Sequence, residues 1–120
     1  MKKDVFERKV TKEMLNYYDL LHGGEAFKMM DATAGEISRN FVKGRTLTKA
    51  ANNIEYNFSV YLGETIISSA EIKKVGNTSL NVYVELKVKE RDNEVSSSGE
   101  FIMVSVDENF NPKPIRDISV

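Results

Sequence analysis

Two periodicities divide this chain. Phe27, Met30, Ala34, Ile37 and Phe41 step by three and four, which makes one apolar stripe of a helix. Glu25, Lys28, Glu36 and Arg39 fall on its other side, and Gly44 is the expected stop. Beyond it the period changes to two. Ile54, Tyr56, Phe58 and Val60 alternate with Glu55, Asn57 and Ser59, a strand that ends at the turn "LGE", 62–64. "TIISSAEIKKV" is the next strand, and "GNTS" turns the chain again. Leu80, Val82, Val84, Leu86 and Val88 alternate with Asn81, Tyr83, Glu85 and Lys87, the clearest strand pattern of all. "VFERKV", ahead of the helix, predicts a short first strand. "ERDNEVSSSGE" reads as a polar, flexible connection, "FIMVSV" at 101–106 as the last strand, and "DENFNPKPIRD", with both prolines, as the close.

Adjacent strands linked by short turns imply an antiparallel sheet. A single helix must bury its stripe against that sheet. The expected class is α+β: one domain over residues 1–120, with one long helix on a curved antiparallel sheet of about five strands.

Composition narrows the chemistry. Hydrophobic residues make up 41% of the 120 positions, enough for one core but not for a core with a deep private pocket, so a site shared between subunits is expected. With 17 basic and 18 acidic residues the net charge is −1, which favours neither nucleic acid nor a membrane surface as partner. The absence of cysteine excludes disulfides, thiolate metal sites and a cysteine nucleophile. A single histidine argues against a histidine-rich metal centre, and no metal site is expected. The charged opening "MKKDVFERKV" lacks the apolar run of a secretion signal, so a cytoplasmic location is the expectation.

The stretch "HGGEAFKMMD", 22–31, carries the candidate chemistry. On a wheel of about 100° per residue with Phe27 at zero, the stripe centres near about −40° and Asp31 falls near about +40°, on its rim. Gly24, Gly35 and Ser38 share that flank, where a backbone or a ligand can come close. The first N–H groups of a helix lack intrahelical partners and sit at the positive end of its dipole. With Gly23 and Gly24 there, an oxyanion can approach them. Donors and a carboxylate on one helix are two parts of an acyl-transfer site. The plainer reading makes Asp31 a solvated residue or a partner of Lys28.

These residues carry a family resemblance. The chain resembles the small single-domain acyl-CoA thioesterases of the hotdog fold. "NYYDLLHGGEAFKMMDATAG" resembles their Asn, His/Phe-Gly-Gly, Met-Asp pattern, and "IEYNFSVYLGETI" their strand leading to a Gly-Asp or Gly-Glu turn. "KVGNTSLNVYVELKV" resembles their Val-Gly-x-(Ser/Thr)-Ser opening, and "GEFIMVSVDENFNPKPI" their last strand and Pro-Ile tail. The resemblance implies a helix wrapped by the sheet. It also implies dimers joined edge to edge, with sites at the interface and further assembly into tetramers or hexamers. It makes Asp31 the catalytic carboxylate, general base or nucleophile. Gly24 becomes the oxyanion N–H, and Asn16 a residue that reaches the other subunit's aspartate. His22 and Gly23 would touch the substrate. Lys73, Lys74 and the turn Gly76, Asn77, Thr78, Ser79 match the path of coenzyme A. Asp19 stands where many relatives have glycine.

The function this implies is hydrolysis of an acyl-CoA to acid and coenzyme A, with the thioester as substrate and no separate cofactor. A non-catalytic acyl-CoA-binding module is the alternative, and a CoA-linked hydratase or lyase on the same fold is another.

Overall fold

The computed structural model describes residues 1–115. Strand β1 (Lys3–Lys9) leads through a short helical turn at Lys12–Met14 into α1 (Gly23–Val42). Strands β2 (Arg45–Tyr56), β3 (Thr65–Val75), β4 (Ser79–Val88) and β5 (Glu94–Val106) follow. They form one sheet in the order β1-β3-β4-β5-β2, antiparallel throughout. The helix lies against all five strands. Its buried residues Ala26, Met29, Met30 and Ala34 meet Ile66, Ala70, Leu80, Val82, Val84, Leu86, Phe101 and Met103 from the sheet. This is the hotdog arrangement, a helix held in a sheet.

Both ends of α1 are set by local chemistry. His22 is extended and caps the helix: its Nδ1 accepts the Gly24 N–H at 2.9 Å. At the other end Lys43 adopts a left-handed φ of 56° and its N–H reaches the Arg39 carbonyl at 2.8 Å. The stop therefore falls on Lys43, one residue before Gly44.

Two strands differ from their sequence patterns. The strand expected at 54–60 is instead β2 at Arg45–Tyr56. It is an edge strand and pairs only with β5, so its polar residues face solvent and no apolar alternation marks it. Residues 57–60 leave the sheet, and Phe58 and Val60 turn inward from an irregular segment. Likewise most of "ERDNEVSSSGE" is not a flexible connection. Strand β5 begins at Glu94, and Ser96, Ser97 and Ser98 are buried within it. Ser97 faces the helix, and Ser98 pairs with Glu85 and faces the other side, but a run of serines mimics a loop in composition. The last two residues of "DENFNPKPIRD" lie outside the described residues.

Candidate active site

The flank of α1 that carries Asp31 is covered by β2. Thr46 and Thr48 lie two apart on that strand and so share one face. Ser38 and Asp31 lie seven apart on α1, two turns, and share one face too. The pairs meet. The Ser38 and Thr46 hydroxyls are 2.9 Å apart, and the Thr48 hydroxyl donates to Asp31 Oδ1 at 2.6 Å. Asp31 is half-buried, and Lys28 forms no ion pair with it among the described residues. Its Oδ2 has no hydrogen-bond partner among the described residues, so an acceptor remains for a water or a substrate atom. Nothing in the spacing of residues 31 and 48 announces this bond; the T-x-T step in "RTLTKA" is the only trace of it.

The helix N-terminus is arranged differently from the sequence expectation. The Gly24 N–H is occupied by His22 Nδ1. The N–H groups of Glu25 and Ala26 both bond the His22 carbonyl, at 2.9 and 3.1 Å. That leaves Gly23 as the first-turn N–H without a partner among the described residues. Its carbonyl accepts the Tyr56 hydroxyl at 3.2 Å, which ties the start of α1 to the end of β2.

Gly23 stands at a cavity of about 290 Å³ lined also by Asn16, Leu20, Ala26, Tyr56, Phe58 and Ser97. Asn16 uses its side-chain carbonyl to hold its own loop, accepting the N–H groups of Tyr18 at 2.8 Å and Leu20 at 3.1 Å. Its side-chain amide N–H groups have no partner among the described residues. Asp19, in that loop, takes a φ of 62°, a left-handed value that glycine adopts at less cost.

A clamp holds the cavity wall. Arg91 donates from Nε to Glu64 Oε2 at 2.8 Å and from its terminal nitrogen to Oε1 at 2.7 Å. The same guanidinium reaches the Ser59 carbonyl at 3.0 Å and covers the rings of Phe58 and Tyr61. Glu64 Oε1 also accepts the Tyr61 N–H at 2.8 Å. The hydrogen-bonded guanidinium pulls the Glu64 pKa below the ordinary carboxylate value, and Arg91 is raised in turn. Nearby, the Thr65 N–H and hydroxyl lower Glu90 in the same way. The "LGE" turn therefore braces the cavity wall from behind, through Arg91, which holds Glu64 on one side and the lining residues Phe58 and Ser59 on the other; the sequence did not single out Arg91.

Lys73, Lys74 and the turn Gly76, Asn77, Thr78, Ser79 are not beside Gly23 of the same chain. Ser79 pairs with Val104, and Thr46 with Ser105, which places that turn at the end of the sheet where α1 finishes. Lys73 pairs with Glu71 at 3.1 Å, and the turn closes through the Gly76 N–H on the Ser79 carbonyl at 2.7 Å. Asp31 and Gly23 are also apart. Eight residues of helix separate them, about 12 Å along the axis at 1.5 Å per residue.

The fold and this helix define the class. Residues 18–95 match the Thioesterase superfamily, and the chain belongs to that family. A Zymomonas mobilis protein named an uncharacterized acyl-CoA thioester hydrolase is 30% identical, over 77% of this chain and 64% of that protein. A 68-residue stretch is 39% identical to the transcription factor FapR of Thermoanaerobacter, covering 57% of this chain and 32% of that one. Several curated relatives are longer proteins, of which the chain spans 62% to 64%. Among solved structures, the hexameric thioesterase y2039 of Yersinia pestis superposes with a TM-score of 0.92, over 97% of both chains at 20% identity.

Proposed function

We propose that the chain hydrolyses acyl-CoA thioesters at a site shared by two copies of itself. The observation that carries this reading is the layout of α1. An oriented carboxylate and an unpaired N-terminal N–H sit on one helix, on residues separated by about 12 Å of helix rise. One thioester carbonyl cannot touch both on the same chain, because each contact needs about 3 Å. A second copy resolves this. Strand β2 is a long edge whose outer side has no strand partner among the described residues. Its Thr48 holds Asp31, and its Tyr56 holds Gly23. Antiparallel pairing of two β2 strands about Asn52 sets Thr48 of one copy opposite Tyr56 of the other. Asp31 of one then faces Gly23 of the other.

In this site the thioester oxygen sits on the Gly23 N–H, at the positive end of α1. Gly23 thus takes the role that the sequence pattern gives to Gly24, whose N–H is occupied. Asn16 adds a donor from the same copy. Asp31, oriented by Thr48, takes a proton from water, and the hydroxide so formed attacks the carbonyl carbon. The tetrahedral intermediate collapses, the C–S bond breaks, and the thiolate of coenzyme A takes the proton from Asp31. Lys73, Lys74 and the turn of residues 76–79 in the Asp31-bearing copy lie toward the same end of the joined sheets and would receive the nucleotide. That y2039 is hexameric supports assembly beyond the dimer. No helix among the described residues is long and apolar enough to cross a membrane.

A binding module that holds acyl-CoA without cleaving it is the second reading, favoured by the stretch shared with FapR, which is named a transcription factor and not a hydrolase. Thiol release from a panel of acyl-CoAs separates the two. Gly23→Pro is the informative variant. Proline suits the first helical position, His22 before it is already extended, and a side-chain carbon at 23 meets only ordinary contacts with Tyr56. It replaces that N–H by the ring carbon Cδ, so the donor is lost and its place is filled, while the Gly23 carbonyl that accepts from Tyr56 is kept. Turnover that falls at least about a hundredfold in both Gly23→Pro and Asp31→Asn supports hydrolysis. Tight binding with no thiol release from the wild type would select the binding module.

A further inference from the structure

Ser97 has a hydroxyl with no partner, although the residue is only 1% exposed. From Ser97 to Val104 strand β5 pairs with β4 without interruption, so Ser97, Gly99, Phe101 and Met103 project to one side. That side is the helix side, since the Phe101 ring packs against Phe27 at 5.6 Å between centroids. Ser97 therefore lies beneath the first turn of α1, and it lines the cavity together with Gly23 and Ala26.

The other polar groups around this cavity are largely committed. Ser96 donates to the Leu86 carbonyl at 3.2 Å, Tyr56 donates to Gly23, and the Asn16 carbonyl is taken by two N–H groups. Ser59 and the Asn16 amide, at the mouth of the cavity, are its other polar groups, and the remaining walls are apolar: Leu20, Leu21, Ala26, Phe58 and Val60. A buried hydroxyl left bare in such a place is costly, and a group that can bond it is favoured over one that cannot.

We infer that this cavity takes a short acyl group bearing a hydrogen-bonding substituent, such as a hydroxyl or keto oxygen, and that Ser97 recognises that substituent. The inference rests on the proposed hydrolysis, which puts the thioester carbonyl at Gly23 and one arm of the substrate into the cavity. At about 290 Å³ the cavity lies at the small end of ligand pockets, which run from about 300 to 1,000 Å³. That suits a short acyl arm and not coenzyme A. A plain alkyl chain would leave the Ser97 hydroxyl unpaired.

The test uses acyl-CoAs of equal length, one alkyl and others with a hydroxyl or keto group at successive carbons. For the wild type, one polar member should exceed its alkyl counterpart in kcat/KM by about tenfold, and Ser97→Ala should lower that ratio by a similar factor. A preference for alkyl chains, or a ratio unmoved by Ser97→Ala, would overturn the inference and leave hydrolysis standing. The same ligands titrated into Asp31→Asn, with and without Ser97→Ala, read selectivity as binding and need no turnover. Selective binding without hydrolysis in the wild type would sink the proposed reaction and keep the recognition by Ser97. Thermal melts check the fold: Ser97→Ala should melt no lower than the wild type, because the hydroxyl it removes has no protein partner.

Discussion

Replacing Thr48 by valine exchanges one hydroxyl for a methyl in the candidate site and changes little else. Thr48 is exposed on the edge strand, and valine keeps its branched shape and strand preference. What disappears is the 2.6 Å bond from its hydroxyl to Asp31 Oδ1. Hydrogen bonds to charged groups contribute about 1.5–3 kcal/mol. The low end applies at an exposed position, and about 1.4 kcal/mol corresponds to a tenfold change in rate. The loss should fall on kcat, since the bond aims the base and does not hold substrate. Thiol-release kinetics at saturating and limiting acyl-CoA would show kcat down about tenfold with KM little changed. Thr48→Ser should recover most of the rate. Should Thr48→Val keep full kcat while Asp31→Asn is inactive, orientation by β2 is not part of the chemistry. A KM effect alone would place Thr48 in substrate binding.

Other consequences follow from the caps and clamps. His22→Ala should lower stability by about 1 kcal/mol through loss of the helix cap, while His22→Asn, which can cap, should not. If His22→Ala instead keeps its melting temperature and loses turnover, His22 carries a proton. Glu64 has its folded pKa lowered by Arg91, below an unfolded value near 4.5. Its stabilising contribution is therefore complete above that value and lost as pH falls through the folded pKa. Denaturant melts between pH 7 and pH 3 should show a smaller acid-side loss in Glu64→Gln than in the wild type, and equal losses would remove the clamp from the account.

The parts of this fold that were legible in the sequence are those that bury one face. The stripe from Phe27 to Phe41 packs on the sheet, and β3 and β4 match their expected spans because they are inner strands with a core side. Strand β2 escaped because it is an edge, mostly exposed, with register shifts at Thr48/Ala50 and Asn52/Glu55. The start of β5 escaped because it is a run of buried serines, with no apolar alternation to mark it. At the site, the Gly-Gly step and Asp31 were visible as residue types. Which glycine N–H stays unpaired was not, since that depends on the ring of His22 turning back to cap Gly24. Thr48, Arg91 and Ser97 join the site from β2, the turn after β4, and β5, and only tertiary packing brings them there.

The central claim is that Gly23 and Asp31 act from different copies. Asp31→Asn and Gly23→Pro chains, co-expressed with two tags and purified through both, test it directly. Each variant alone should be inactive. In the mixed dimer one site combines an intact Gly23 with the intact Asp31 of the other chain, and the second site has neither. The account predicts about half the wild-type turnover per dimer. A mixed dimer as inactive as its parents would contradict it and return both groups to a single chain.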